Sequence, residues 1–214
     1  MDKANLSGGG AVRVKFCGIT SVADAQAAEQ AGCDAIGLVF AEHSPRYVSV
    51  QRAQEICQKI SPWITVVGLF VDAEHQQVQQ VVQAVPLHVL QFHGSETPDF
   101  CAQWQRPWIK AVPMLDNGQP QDYVRPYSRA SGWLLDCYGK KHSGGSGKVF
   151  DWSLFPTDND PRWILAGGLN PDNIRDALQA TGARSVDVSS GIESSPGVKS
   201  RRLMRQFIKN IRCV

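Results

Sequence analysis

Eight short apolar runs, spread along most of the chain, limit the folds that this sequence can adopt. Apolar residues are nearly continuous within each run, as is typical of parallel strands whose two faces are both covered. Turn residues or helical patterns separate the runs. The eight predicted strands are residues 12–18, 35–40, 64–71, 87–94, 108–114, 132–137, 163–168 and 185–191.

Helical patterns follow most of these strands, and one of them has a clear start signal. Asn170 suits a helix N-cap, Pro171 the first helical position, and Asp172 the positive end of the helix dipole. Residues 115–129 and 138–152 lack such a pattern and are interpreted as loops, the first with room for one helical turn. The predicted helices are residues 22–31, 50–60, 74–84, 98–104, 172–180 and 200–211.

Repeated strand–helix alternation without an interior linker predicts an α/β fold, a single (β/α)8 TIM barrel with eight parallel strands. An open doubly wound sheet is the main alternative. It is disfavoured because no G-x-G-x-x-G follows the first strand, and because eight units in 214 residues suit a compact barrel. We expect the barrel over residues 12–214. Residues 1–11 are polar and glycine-rich, without a signal peptide's apolar core, and predict a disordered tail.

Composition excludes several classes of protein. An apolar fraction of 43% and a charged fraction of 20% are those of an ordinary globular protein. The net charge is only +2 with dispersed basic residues, which argues against a nucleic-acid partner. No apolar run approaches the ~20 residues that span a bilayer. The six cysteines form no C-x-x-C pair and no metal-ligand spacing with the five histidines, so we expect no metal site and a reducing cytoplasm.

Two reactive side chains fall at predicted strand ends, where barrels place their active sites. Cys17 ends the first strand and Asp136 the sixth. A free cysteine is usually buried filler, but position distinguishes Cys17 from the cysteines in helices. Residues two apart on a strand share a face, so Lys15 should point the same way as Cys17. Strands one and eight are neighbours in a closed barrel, which predicts an ion pair between Lys15 and Asp187.

The turns after strands seven and eight suggest a phosphate site. They contain Gly167-Gly168-Leu169 and Ser189-Ser190-Gly191. Glycines let backbone N–H groups approach an anion, and barrels often bind phosphate at these two loops. The glycines could instead only form tight turns, but two such turns side by side favour phosphate. The glycine-rich residues 144–147 lack a P-loop spacing, so they are interpreted as a flexible loop or a mobile lid.

Nine segments together resemble the phosphoribosylanthranilate isomerase family. They extend in order from residue 12 to about 200, so the resemblance covers essentially the whole barrel. The departures are the N-terminal tail and Phe92, where leucine is expected. The segments are residues 15–20, 37–40, 44–49, 67–71, 90–94, 134–136, 144–152, 165–169 and 186–199.

The resemblance implies an Amadori rearrangement of a phosphosugar, with no cofactor and no metal. It implies Cys17 as general base and Asp136 as general acid. A thiolate needs a positive neighbour, and an aspartic acid protonated near neutrality needs its pKa raised by about 3 units, or roughly 4 kcal/mol. Arg46 would bind the anthranilate carboxylate or form a surface salt bridge. His93 and Asp187 would contact substrate or support the site.

Two other functions are considered. A phosphate-binding barrel lyase, such as indole-glycerol-phosphate synthase, needs a lysine near the end of strand one or three, where this chain has Cys17 and Val71-Asp72. A non-catalytic phosphosugar-binding barrel would require neither Cys17 nor Asp136. The sequence leaves the choice between monomer and homodimer open.

Overall fold

A closed ring of eight parallel strands forms the centre of the molecule, in a computed structural model that describes residues 11–115, 119–138 and 149–212. The strands follow one another round the ring in chain order, and β1 pairs with both β2 and β8. The predicted barrel is therefore confirmed, and the open sheet is excluded. The strands are β1 (Arg13–Cys17), β2 (Ala35–Val39), β3 (Thr65–Phe70), β4 (Val89–Phe92), β5 (Trp108–Pro113), β6 (Gly132–Asp136), β7 (Trp163–Leu165) and β8 (Ser185–Val188).

Helices cover the outside of the ring, and a small hairpin that the sequence did not predict follows β8. This hairpin pairs β9 (Glu193–Ser195) with β10 (Val198–Lys199). None of the described helices is long and apolar enough to cross a membrane. The helices are α1 (Val22–Ala31), α2 (Val50–Cys57), α3 (His75–Ala84), α4 (Pro98–Ala102), α5 (Pro120–Val124), α6 (Ile174–Thr181) and α7 (Arg201–Arg212), with a 3-10 turn at Arg125–Tyr127. The predicted tail, except Ala11, and the glycine-rich residues 144–147, interpreted as a flexible loop or lid, lie outside the described residues.

Several predicted boundaries were wrong near the end of the chain. Strand β8 ends at Val188 and not at residue 191, because a 3-10 turn begins at Ser190. Helix α6 begins at Ile174, because the Asn170 Oδ1 accepts the N–H groups of Asp172 and Asn173 and stabilises a turn before the helix. Strand β7 ends at Leu165. Gly167 and Gly168 have φ angles of +78° and +66°, which an extended strand does not adopt.

Alternation along the strands divides the interior into two layers. Outward-facing residues pack against the helices. The ring of Phe16, for example, makes a T-shaped contact with the ring of Phe207, with 6.1 Å between the centroids. Inward-facing residues fill the ring. Toward its carboxyl end these become polar or reactive: Lys15, Cys17, Gln91, Asp136 and Asp187. The inside of the ring is thus apolar around Ile109, Ala111 and Leu134, and its polar and reactive groups lie at the mouth.

Candidate active site

A cavity of about 880 Å³ opens at the carboxyl ends of the strands. The strand ends and the loops after β2 and β3 form most of its wall. Six residues singled out in the sequence line it together: Cys17, Arg46, His93, Asp136, Asp187 and Ser189. Gly167, Gly168, Leu169, Ser190 and Gly191 are not among its lining residues. No cluster of three or more potential metal ligands occurs in the part of the chain that the structure describes.

Cys17 lies beside a buried ion pair. Lys15 and Asp187 are register partners on β1 and β8, and Nζ lies 2.8 Å from Oδ1, so the predicted pair is confirmed. Gly37 on β2 leaves the space for this group, since a Cβ there would lie 2.7 Å from the Cys17 Sγ and 3.2 Å from the Lys15 Cε. A thiol, an ammonium group and a carboxylate therefore share one side of the cavity.

Burial and charge act in opposite directions on the Cys17 thiol. Burial raises its pKa, the positive charges of Lys15 and Lys199 lower it, and Asp187 raises it again; the net result is a raised pKa. Burial alone would lower the pKa of Lys15, but Asp187 and Cys17 outweigh it and raise that pKa to about 12. The positive neighbour expected for the thiol is present, yet its charge is shared with Asp187. Cys17 is therefore a thiol at neutral pH in the free protein.

Asp136 is held on the other side of the site by one hydrogen bond and one ion contact. Its Oδ1 accepts the backbone N–H of Cys137 at 2.7 Å, and its Oδ2 lies 3.2 Å from the Nε2 of His93. A Cβ on Gly167 would lie 3.1 Å from the Asp136 Oδ1 and 2.6 Å from the Cys137 nitrogen. Glycine at this left-handed position thus lets the loop after β7 approach the carboxyl group closely.

Arg46 forms a salt bridge, but a largely buried one with Glu193 rather than one on the surface. Its Nε and Nη2 atoms each lie 2.8 Å from one oxygen of Glu193, and the Arg46 side chain is only 13% exposed. Lys199 donates to the same Glu193 at 2.6 Å. Burial alone would raise the pKa of Glu193, but Arg46 and Lys199 outweigh it and lower that pKa. Because Glu193 occupies one edge of the guanidinium, only its Nη1 side remains for a ligand.

The two loops of the predicted phosphate site touch each other. A Cβ on Gly191 would overlap the carbonyl oxygen of Leu169, so the close approach requires glycine. Within the described ranges, the N–H groups of Gly167, Gly168 and Leu169 donate to no protein acceptor. Ser189 ties the second loop to β1 through a 3.1 Å hydrogen bond from its Oγ to the carbonyl oxygen of Cys17. This arrangement leaves backbone donors available to an anion.

Comparison with known proteins decides the family. The family model for N-(5'-phosphoribosyl)anthranilate (PRA) isomerase matches residues 14–210, nearly the whole barrel. The chain belongs to the phosphoribosylanthranilate isomerase family. It is 46% identical over 202 residues to the isomerase of Pseudomonas fluorescens strain Pf0-1, covering 94% of this chain and 99% of that protein.

Solved structures of family members share the fold. The phosphoribosylanthranilate isomerase of Thermotoga maritima is 38% identical with a TM-score of 0.84, over 95% of this chain and all of that one. The Thermus thermophilus isomerase has a TM-score of 0.83 at 32% identity, over 94% of this chain and 98% of that one. Another isomerase structure, a complex with reduced 1-(o-carboxyphenylamino)-1-deoxyribulose 5-phosphate, is 34% identical, with a TM-score of 0.78 over 95% and 100% of the two chains. The resemblance is confirmed, and the chain is an enzyme of this isomerase family.

Two charged residues of the site were missed in the sequence. Glu193 and Lys199 lie within the last segment that resembles the family, but strand and helix patterns gave them no role. Their available signal was opposite charges on either side of the turn residues Pro196-Gly197. Together they connect Arg46 to the loop after β8, because Lys199 also donates to the carbonyl oxygen of Ser189 at 3.0 Å.

Proposed function

We propose that this chain converts N-(5'-phosphoribosyl)anthranilate into 1-(2-carboxyphenylamino)-1-deoxyribulose 5-phosphate in tryptophan biosynthesis. The observation that carries the proposal is that Cys17 and Asp136 line one cavity, from strands β1 and β6 of the same ring. Five described cysteines are free, which suits the reducing cytoplasm that we propose. The small-molecule partner is the phosphosugar. We propose that the protein is a monomer or a homodimer. A phosphoribosylanthranilate isomerase of Thermotoga maritima is dimeric.

The reaction needs one proton donated and one removed. Asp136 as general acid protonates the furanose ring oxygen, the bond from that oxygen to C1 breaks, and the nitrogen lone pair forms an iminium. Cys17 as general base then removes the C2 proton, and the electron pair of that bond neutralises the iminium to give an enolamine. Ketonisation moves the hydroxyl proton at C2 to C1, so substrate and product are isomers.

The raised pKa of Cys17 fits a base that is activated only when substrate is bound. In the free protein the thiol keeps its proton because burial and Asp187 outweigh Lys15 and Lys199. A bound iminium adds a positive charge in the same low-dielectric cavity, which favours loss of the thiol proton to solvent and formation of the thiolate. The substrate itself thus supplies the positive neighbour that the thiol needs.

The remaining site residues are proposed to bind the two anionic ends of the substrate and its hydroxyls. The free N–H groups of Gly167, Gly168 and Leu169, with Ser189-Ser190-Gly191 beside them, suit the phosphate. The open Nη1 side of Arg46 suits the anthranilate carboxylate. His93 and Asp187 are proposed to act through hydrogen bonds, to Asp136 and Lys15 respectively.

A fluorescence assay that follows phosphoribosylanthranilate tests the proposal. We expect Cys17→Ala and Asp136→Asn each to lower kcat at least 100-fold, in the range of general acid–base contributions. Cys57→Ala on α2, outside the cavity lining, is the matched control and should keep wild-type turnover. Near-normal turnover in either site variant would contradict the assignment. Binding without turnover by the wild-type protein would instead fit a non-catalytic phosphosugar-binding barrel.

A further inference from the structure

Gln91 on β4 is a fully buried residue that lines the cavity and has an unpaired oxygen. Its Oε1 has no hydrogen-bond partner among the described residues. An unpaired buried polar atom is destabilising, because it has lost its hydrogen bonds to water without replacing them. Its Nε2 is paired, at 3.0 Å from the Nδ1 of His93. One half of the carboxamide is therefore engaged with His93, and the other half is buried without a partner at the wall of the cavity.

The Gln91 amide determines which ring nitrogen of His93 carries the proton. A carboxamide nitrogen can only donate, so the His93 Nδ1 accepts and the ring proton lies on Nε2. That Nε2 lies 3.2 Å from the Oδ2 of Asp136, so its proton faces a carboxylate acceptor. The ring of Tyr138 packs on the imidazole with 4.6 Å between centroids and restricts its tilt. Gln91, His93 and Asp136 thus form a directed chain of polar contacts.

Resting on the proposed function, we infer that Gln91 is a positioning residue for the acid Asp136, acting through His93, and that its Oε1 accepts a hydroxyl of the bound phosphosugar. The Asp136 Oδ1 accepts the N–H of Cys137, and its Oδ2 faces the Nε2 of His93. One lone pair remains on each oxygen. The proton that Asp136 delivers is then held in a fixed direction, as acid catalysis requires.

The open Oε1 also selects which part of the substrate lies beside it. A carbonyl oxygen attracts donors and repels anions. Phosphate and carboxylate groups are acceptors at neutral pH, whereas sugar hydroxyls donate. Gln91 therefore places the hydroxyl-bearing middle of the substrate next to the chain of polar contacts, and a hydroxyl that binds Oε1 fixes the amide in the orientation that His93 needs.

The first test reads the His93 tautomer by ¹H–¹⁵N NMR of the imidazole ring, with His93→Gln to assign its signals. We expect the Nε2–H tautomer in the wild-type protein. In Gln91→Glu the carboxylate can only accept while Asp136 still accepts at Nε2, so Nδ1 should become protonated as well; Gln91→Met should weaken the Nε2–H preference. Gln77→Met is the matched control, because Gln77 lines the same cavity but donates to the carbonyl oxygen of Phe40, and its variant should keep the wild-type tautomer.

The second test measures turnover and binding. Gln91→Met should lower kcat about 10-fold or more. It should also weaken binding of reduced 1-(o-carboxyphenylamino)-1-deoxyribulose 5-phosphate about 10-fold, the loss of one hydrogen bond (about 1.4 kcal/mol). Thermal unfolding checks that each variant is folded, and the neutral Gln91→Met serves if the buried charge of Gln91→Glu prevents folding.

Two results would overturn the inference: a wild-type His93 protonated on Nδ1, or a folded Gln91→Met with unchanged tautomer, kcat and analogue binding. The tautomer needs no turnover to be observed. A wild-type protein that does not isomerise phosphoribosylanthranilate would therefore refute the proposed function while leaving the position of the His93 proton to decide the role of Gln91.

Discussion

Asp187 has two effects on the thiol of Cys17, one direct and one through Lys15. Its negative charge raises the pKa of Cys17, and its 2.8 Å ion pair engages the ammonium group that would otherwise favour the thiolate. A cysteine that stays protonated in the free protein avoids side reactions, because the thiolate rather than the thiol is the reactive form. Asp187 therefore favours the protonated thiol of Cys17 until substrate binds.

Asp187→Asn should lower the pKa of Cys17. The substitution removes the carboxylate charge and leaves Lys15 to face the thiol, and an opposite charge at such short range lowers a pKa by about 1–3 units. The pH dependence of alkylation by iodoacetamide measures it, with Cys17→Ala subtracted as the background of the other cysteines. The thiol should react at lower pH in Asp187→Asn than in the wild-type protein. An unchanged or higher pKa in a folded variant would show that Asp187 does not favour the protonated thiol.

At the scale of single elements, the hairpin β9–β10 is held in place by charge. Glu193 starts β9, Lys199 ends β10, and Arg46 reaches Glu193 from the loop after β2. All three side chains are largely buried. Removing one partner of a buried ion pair costs about 3–5 kcal/mol because the other charge is left unpaired. The hairpin therefore depends on Glu193 being ionised.

Glu193→Gln should lower the free energy of unfolding by about 3 kcal/mol at pH 7. The pKa of Glu193 is lowered in the folded protein, so its contribution is complete above the unfolded value of about 4.3 and is lost as the pH falls through the lower folded value. Urea unfolding at pH 7 and at about pH 3 should show the difference from wild type shrinking in acid.

Glu55→Gln provides the matched control for that experiment. Glu55 forms an exposed pair with Arg52 at the same 2.8 Å, and exposed pairs contribute about 1 kcal/mol or less. Its loss should be small at both pH values. An equal loss in the two variants, or a Glu193→Gln difference that does not change with pH, would contradict a buried charged hairpin.

The elements differ in how far the sequence alone could predict them. Strand positions and the Lys15–Asp187 pair follow from alternation and ring closure, which are periodic properties of the chain. The end of β7 and the start of α6 depend on left-handed glycines and on side-chain hydrogen bonds of Asn170, which no period reveals. The Arg46–Glu193 contact joins residues far apart in the chain, and only the folded ring brings them together.

Lys110 on β5 is a second residue whose contact partner could not be predicted from the sequence. Its position in an apolar run predicts a buried residue, but not that it lies outside the ring against Glu96, at 2.8 Å and fully buried. Glu96 in turn accepts the backbone N–H groups of Asp72 and Gly94. The pair thus fastens the loops after β3 and β4 beside His93. A charge in a predicted strand can be located only when its partner is known.

On the scale of the whole molecule, the layer outside the ring supports the fold while the mouth carries the chemistry. Helix α7 buries Met204, Phe207, Ile208 and Ile211, and it packs against α1 and α6. These contacts hold the last helix beside the first strand, where β1 and β8 close the ring. None of the four residues lines the cavity. Stability and activity should therefore respond to different substitutions.

Phe207→Ala should destabilise the protein without changing its catalytic rate. Phe207 is fully buried, and truncating such a ring costs about 3–5 kcal/mol in lost burial and a residual cavity. Urea unfolding measures the loss, and kcat is compared at a temperature where both proteins are folded. Leu203→Ala, on the same helix but only partly buried, should cost less. A folded Phe207→Ala protein with reduced kcat would mean that the outer layer also sets the geometry of Cys17, since Phe16, which contacts Phe207, directly precedes that thiol in β1.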